Sequence, residues 1–209
     1  MRIDFHVHTK WSYDAFGDLS EISKWARLKG IDVVVVTDHD KVTIQKPKKI
    51  NSIWFIPGIE VKTSYGHVLG INLQDELNIK LLKEKPIEAI HKTGGFCVLA
   101  HPFDSRGNRK IGKLGGIDAI EVINSSSILF NFNSSLSKAY ARALNLTEVA
   151  GSDSHIPSTV GDAFVEVEEI EFLNAIKSIF NGRGKVFGKP ISMVDRIKLN
   201  LLRIIKGRF

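Results

Sequence analysis

A chain of 209 residues with 43% hydrophobic and 25% charged positions is long enough for one well-buried domain and short for two, and its composition excludes disordered and fibrous classes. The net charge of +6 is uneven: residues 181–209 carry eight Lys/Arg against Asp195 alone, which leaves −1 for the rest, so a basic tail sets the pI near 9.4. No apolar run approaches the roughly 20 residues of a membrane span, no signal-type stretch follows Met1, and the single cysteine excludes an intramolecular disulfide.

The expectation is therefore one cytoplasmic domain spanning 1–209, with no membrane or obligate protein partner, in which Cys97 is a buried small hydrophobe. The chain opens with Asp4-Phe-His6-Val-His8-Thr9, whose alternation predicts a strand with Asp4, His6 and His8 on one face and Ile3, Phe5 and Val7 on the other. After a loop at 10–17, Leu19, Ile22, Trp25 and Leu28 have helical spacing; Asp18 and Glu21 form a capping box and Gly30 suits the carboxyl end. The β-branched run Ile31 to Asp38 reads as a parallel strand buried on both faces.

A polar segment, 41–51, leads to two strands, Ile53 to Glu60 and His67 to Leu73, joined by a turn around Tyr65-Gly66. A helix over Pro86 to Thr93, buried strands over Phe96 to Ala100 and Ile117 to Ile123, a helix over Asn133 to Leu144, and short strands at Glu148 to Ser152 and Ala163 to Val167 follow. Ser192 to Lys206 closes the chain as a basic amphipathic helix expected to pack on the outside. Alternation of strand and helix favours a barrel-like α/β architecture.

Six of the seven histidines, all but His91, sit beside a turn or strand end: His6, His8, His39, His67, His101 and His155. Thr37-Asp38-His39-Asp40, Ala100-His101-Pro102 and Ser152-Asp153-Ser-His155 each fall where a strand runs out, and Glu60 ends another. In a parallel barrel those ends converge on one rim, so residues distant in sequence can share a site. Imidazole with carboxylate suits Zn, Mn or Fe, and the donors are too many for one tetrahedral ion, which points to two or three divalent metals.

These motifs, in this order, resemble the polymerase and histidinol phosphatase (PHP) domain: Asp4-Phe-His6-Val-His8-Thr9, Thr37-Asp38-His39, Gly58-Ile-Glu60, Ala100-His101-Pro102 and Gly151-Ser-Asp153-Ser-His155. The resemblance covers nearly the whole chain and implies a distorted (β/α)7 TIM-like barrel with metals at the carboxyl rim. It implies His6, His8, Glu60, His101, Asp153 and His155 as metal ligands, with His39 and Asp14 completing a third position. The family's small phosphoesterases carry Ser-Asp-Gly where this chain reads Ser12-Tyr-Asp14-Ala15, one residue longer.

His67 is a candidate for metal or phosphate, and Arg106 and Arg109, with Lys110, for phosphate. Asp4, Asp38, Glu121 and Asn124 are candidates to hold the ligands from behind. The reaction expected is hydrolysis of a small-molecule or nucleotide phosphomonoester by metal-activated water, with Asp153, His155 and His101 closest to the chemistry. The alternatives are a phosphodiesterase or nuclease acting on nucleotide or oligonucleotide ends, kept open by Lys46-Pro-Lys-Lys49 and the basic tail, and a non-catalytic metal-binding module.

Overall fold

The computed structural model describes residues 1–63, 66–74, 77–104 and 115–207. In chain order the elements are β1 (Arg2–Val7), α1 (Leu19–Leu28), β2 (Val33–Val36), β3 (Lys48–Ile50), β4 (Ile53–Thr63), β5 (Gly66–Ile71), α2 (Ile79–Glu84), α3 (Pro86–Lys92), β6 (Phe96–Leu99), β7 (Ala119–Asn124), α4 (Phe130–Leu144), β8 (Thr147–Gly151), β9 (Ala163–Glu166), α5 (Phe172–Phe180), β10 (Lys185–Gly188) and α6 (Met193–Lys206). A 3-10 turn, Pro157–Thr159, follows β8.

One sheet runs β10-β9-β1-β2-β4-β5-β6-β7-β8, with β3 paired to β4. It curls into a nearly closed, TIM-like barrel whose seam lies between its ends in sequence: the amide of His8 donates to Ser154 O at 2.9 Å, and that of Ser154 to His6 O at 3.3 Å. β1, β2 and β4 run parallel, as do β6, β7 and β8, but β5 is antiparallel to both neighbours. That reversal matters for the site. β5 starts, rather than ends, at the rim where the parallel strands finish, and Lys62 of β4 pairs with His67.

The valines of β2 are buried on both faces: Val34 and Val36 pack with Val7, Phe55 and the α1 residues Ile22 and Ala26, while Val33 and Val35 join the larger cluster with Ile3, Phe5 and Ile59. Asp18 caps α1 and Glu21 closes the box. Cys97 is buried and free, in the core. Among the described residues no helix is long and apolar enough to cross a membrane.

The periodicity argument misses β3, α2, α5 and β10, each short: three, six, nine and four residues. The turn at Tyr65 lies partly outside the described residues. A larger correction concerns α6. It does not lie on the barrel wall but across the loops at the carboxyl rim, where Asp195 accepts from Ser158 Oγ at 2.7 Å, Arg196 donates to Ser126 O and Arg203 donates to Asp14. Its charged side faces the protein with Leu199 buried beneath, and Met193, Val194, Ile197, Leu201, Ile204 and Ile205 are each more than half exposed.

Candidate metal centre

Four side-chain atoms meet where β1, β4 and the segment after β8 come together: His6 Nε2, His8 Nε2, Glu60 Oε2 and Asp153 Oδ1. The two nitrogens are 3.1 Å apart. Glu60 Oε2 lies 3.6 Å from His6 and 3.4 Å from His8, and Asp153 Oδ1 repeats the same two distances. Donors about 2.0–2.1 Å from a tetrahedral ion stand roughly 3.4 Å from one another, so this spacing is that of a coordination shell.

Tautomers sharpen the point. His6 Nδ1 lies 3.0 Å from Glu121 Oε1, and a carboxylate can only accept, so Nδ1 carries the proton. Ser12 gives its hydroxyl proton to Asp38 Oδ1 at 2.7 Å and therefore accepts from His8 Nδ1 at 3.1 Å. Both Nε2 lone pairs then face two carboxylate oxygens, and a cation, proton or metal, has to sit among them.

The second oxygen of Glu60 serves another group: Oε1 is 2.7 Å from His67 Nδ1 and 3.3 Å from His101 Nε2. A third group forms around Asp14, whose Oδ1 is 3.3 Å from His39 Nε2 and whose Oδ2 is 3.0 Å from His155 Nε2. His39 reaches back to Glu60 Oε2 through Nδ1 at 2.9 Å. Donor atoms of His8, His39 and His155, of His6, His8 and Glu60, and of Glu60, His67 and His101 each lie within 4.8 Å of one another.

The electrostatics match a cation site. Burial disfavours charge on Glu60 and Asp14, yet His6 and His155 hold these carboxylates, respectively, far below the usual range against it. His6 is raised well above its ordinary value, burial opposing and Glu121, Asp153 and Glu60 prevailing; His39 is raised to about 10 in the same way by Asp14 and Glu60. Burial, then His155, lowers His8 to about 4. Asp14 Oδ1 and Glu60 Oε2 are buried and meet His39 as ion-pair contacts without hydrogen-bond geometry, as anionic oxygens able to take a cation would be. The donor set and these oxygens fit divalent ions.

Residues 133–178 match the family model described as PHP-associated. Two Methanocaldococcus jannaschii proteins are relatives: the uncharacterized protein MJ0417, 27% identical over 85% of this chain and 79% of its own, and MJ1587, 30% identical over 59% of this chain and 82% of its own. Among solved structures, a two-domain Bacteroides vulgatus protein containing a predicted PHP-like metal-dependent phosphoesterase superposes with TM-score 0.67 at 21% identity, over 97% of this chain and 69% of that one. PsfC from Pseudomonas syringae superposes at 0.73 and 19% identity, over 98% of both chains.

The chain has the PHP-domain fold.

Within the PHP domain, the backbone is shaped for the site. His101 and Asp153 adopt left-handed φ of 30° and 51° at the ends of β6 and β8, conformations L residues enter only when the surroundings impose them. Glu121, on β7, ties two of these residues together: Oε1 takes the His6 ring and Oε2 takes the His101 amide at 2.9 Å and the Asn124 side chain at 2.9 Å. Asn124 also donates to Asp153 Oδ2 at 3.3 Å.

Asp38 meets no imidazole directly. It collects Thr9 N, Thr9 Oγ1, Ser12 Oγ and Thr43 Oγ1, and acts on His8 through Ser12. Asp4 likewise holds backbone, not rings. It accepts from Ser152 N and Oγ and from Gly161 N, locking the β1–β8 seam, and burial, partly offset by these donors, raises it to about 6.

The structure thus brings His6, His8, Asp14, His39, Glu60, His67, His101, Asp153 and His155 together at one rim. Arg106 and Arg109 lie outside the described residues. Two participants escape the sequence reading. Ser12 had a signal in its position four residues after His8; Arg203 had none, since 189 residues separate it from Asp14.

Proposed function

We propose that the protein is a metal-dependent phosphoesterase that hydrolyses a small phosphate monoester, a nucleotide among the candidates. In this reading two or three ions of the Zn, Mn or Fe kind are held by His6, His8, Glu60 and Asp153, by Glu60, His67 and His101, and by Asp14, His39 and His155. The observation that carries it is Glu60, whose two oxygens each stand among imidazoles of a different group.

Ions in these groups would supply Lewis acidity toward a phosphoryl oxygen and would ionise water near neutral pH. Glu60 fixes the spacing between groups, and Glu121 and Ser12 hold His6 and His8 in the tautomers that offer Nε2. This reading assigns proton transfer toward the leaving oxygen to Asp153, which is buried and tied to Asn124, or to a water at the site. The Bacteroides vulgatus protein, which contains a predicted PHP-like metal-dependent phosphoesterase, supports the same class of reaction.

A hydrolysis panel tests this: sugar phosphates, amino-alcohol phosphates, mononucleotides and short oligonucleotides, each with Mn²⁺, Zn²⁺ or chelator. Metal-dependent release of phosphate from a monoester is the expected result. Cleavage confined to oligonucleotide ends would move the assignment to a nuclease, and bound metal without turnover on any ester would leave a metal-binding module.

A further inference from the structure

The orientation of α6 is unusual for a terminal helix. A helix docked to bury surface turns its apolar stripe inward, yet here Met193, Val194, Ile197, Leu201, Ile204 and Ile205 face outward and Arg196 and Arg203 face the protein. What this inversion achieves is visible at Asp14. Arg203 Nη2 donates to Asp14 Oδ2 at 2.8 Å, and Nε donates to Asp14 O at 3.2 Å. The same Oδ2 is 3.0 Å from His155 Nε2. One carboxylate oxygen is all that stands between the guanidinium and a ligand nitrogen of the metal centre.

A guanidinium has five N–H donors. Asp14 uses two, and the others make no hydrogen bond among the described residues, while the side chain keeps 26% of its surface accessible. Asp14 holds the guanidinium through Nε and Nη2, which leaves the two N–H groups of Nη1 and one of Nη2 as donors. The helix is pinned to hold it there: Ser192 caps its start, Asp195 takes Ser158 Oγ, and Arg196 reaches Ser126 O.

We propose that Arg203 is a substrate-binding residue of this site: held by Asp14, it offers the rest of its guanidinium to the anionic oxygens of the substrate's phosphate. This rests on the phosphoesterase reading above. The C-terminal helix is thereby a working wall of the active site, and the class of ligand it selects is a phosphate with free, doubly charged oxygens.

The test uses the full-length, Mn²⁺-loaded protein as wild type, Arg203→Ala and Arg196→Ala, with metal per chain measured by elemental analysis and inorganic phosphate affinity by calorimetry. Arg203→Ala is expected to retain its metal and to weaken phosphate binding on the order of tenfold or more, the scale of a lost charge-assisted hydrogen bond. KM for the best ester should rise in step while kcat changes less. Arg196→Ala removes one charge from the same helix, which stays docked through Asp195 and Arg203, without touching Asp14, and should keep phosphate affinity.

Equal phosphate affinity in wild type and Arg203→Ala overturns the proposal, as does a loss that only tracks lost metal or is matched by Arg196→Ala. If Arg203→Ala fails to fold, Arg203→Gln, which keeps donors toward Asp14 but not the charge, is judged by the same criteria. The two readings fail separately. A wild type that binds phosphate through Arg203 yet hydrolyses no ester sinks the phosphoesterase assignment alone, whereas turnover indifferent to Arg203 sinks this proposal alone; a loaded wild type that binds no phosphate sinks both.

Discussion

His6 and Glu121 stand 3.0 Å apart, Nδ1 to Oε1, with neither side chain reaching solvent. The other oxygen of Glu121 holds the amide of His101, so one carboxylate ties the His6 ring of β1 to the backbone that carries His101 after β6. Glu121→Gln keeps the shape but offers one acceptor oxygen where two are used. Metal affinity should fall about 10–100-fold, as for other groups that orient a ligand from behind. Competition against a graded chelator series measures it, and unchanged affinity would show that the ring needs no such anchor.

Glu60 calls for a larger effect. Because its two oxygens serve different groups, Glu60→Gln should lower the metal content of purified protein by at least one ion per chain and reduce turnover by more than about 100-fold, beyond the range for supporting residues. Chelator treatment of the wild type should lower the melting temperature, and Mn²⁺ or Zn²⁺ should restore it. Elemental analysis with thermal scans decides the matter; retention of full metal by Glu60→Gln argues against the bridging role.

Gly151 tests the packing under the centre. A Cβ there would meet His6 Cβ at 2.4 Å and Glu121 Oε1 at 2.7 Å. Both neighbours are buried and bonded to each other, so neither can give way cheaply. Gly151→Ala should cost about 1–3 kcal/mol in urea unfolding, the usual range for overpacking, and should reduce metal affinity as well. A variant as stable as wild type would mean that the β1–β8 contact is looser than described.

Cys97 should be silent. Burial, then Asp118, pushes its thiol well above the ordinary cysteine range, so the folded protein holds essentially no thiolate at pH 8.5. Iodoacetamide at that pH should leave native protein unmodified and alkylate it fully in denaturant, as read by intact mass. Rapid native labelling would place the side chain nearer the surface.

Much of this was legible in the residues themselves. Asp18 and Glu21 announced α1, four consecutive valines announced β2, and the histidines at strand ends announced the rim, because capping chemistry and burial on two faces leave local traces. What the sequence hid was non-local. That β5 runs backward, bringing His67 to the rim by its first residues, depends on pairing with β4 and β6. The direction of α6 was misread for a physical reason: its amphipathic pattern says which residues share a face but not which face is docked. In this helix the polar side is the one with partners, Ser158, Ser126 and Asp14.

The seam of the barrel has a consequence for timing. His6 and His8 leave the ribosome first among the ligands, whereas Asp153, which completes their quartet, lies nearly 150 residues later and is brought beside them by the pairing of His6 and His8 with Ser154. Asp4 accepts from Ser152 and Gly161 across the same interval. Contacts this distant in sequence carry a loop-closure cost that slows folding. During synthesis the quartet cannot exist as a unit until the last third of the chain has docked, and a chain interrupted before Asp153 leaves the histidine pair with Glu60 alone of its two carboxylates.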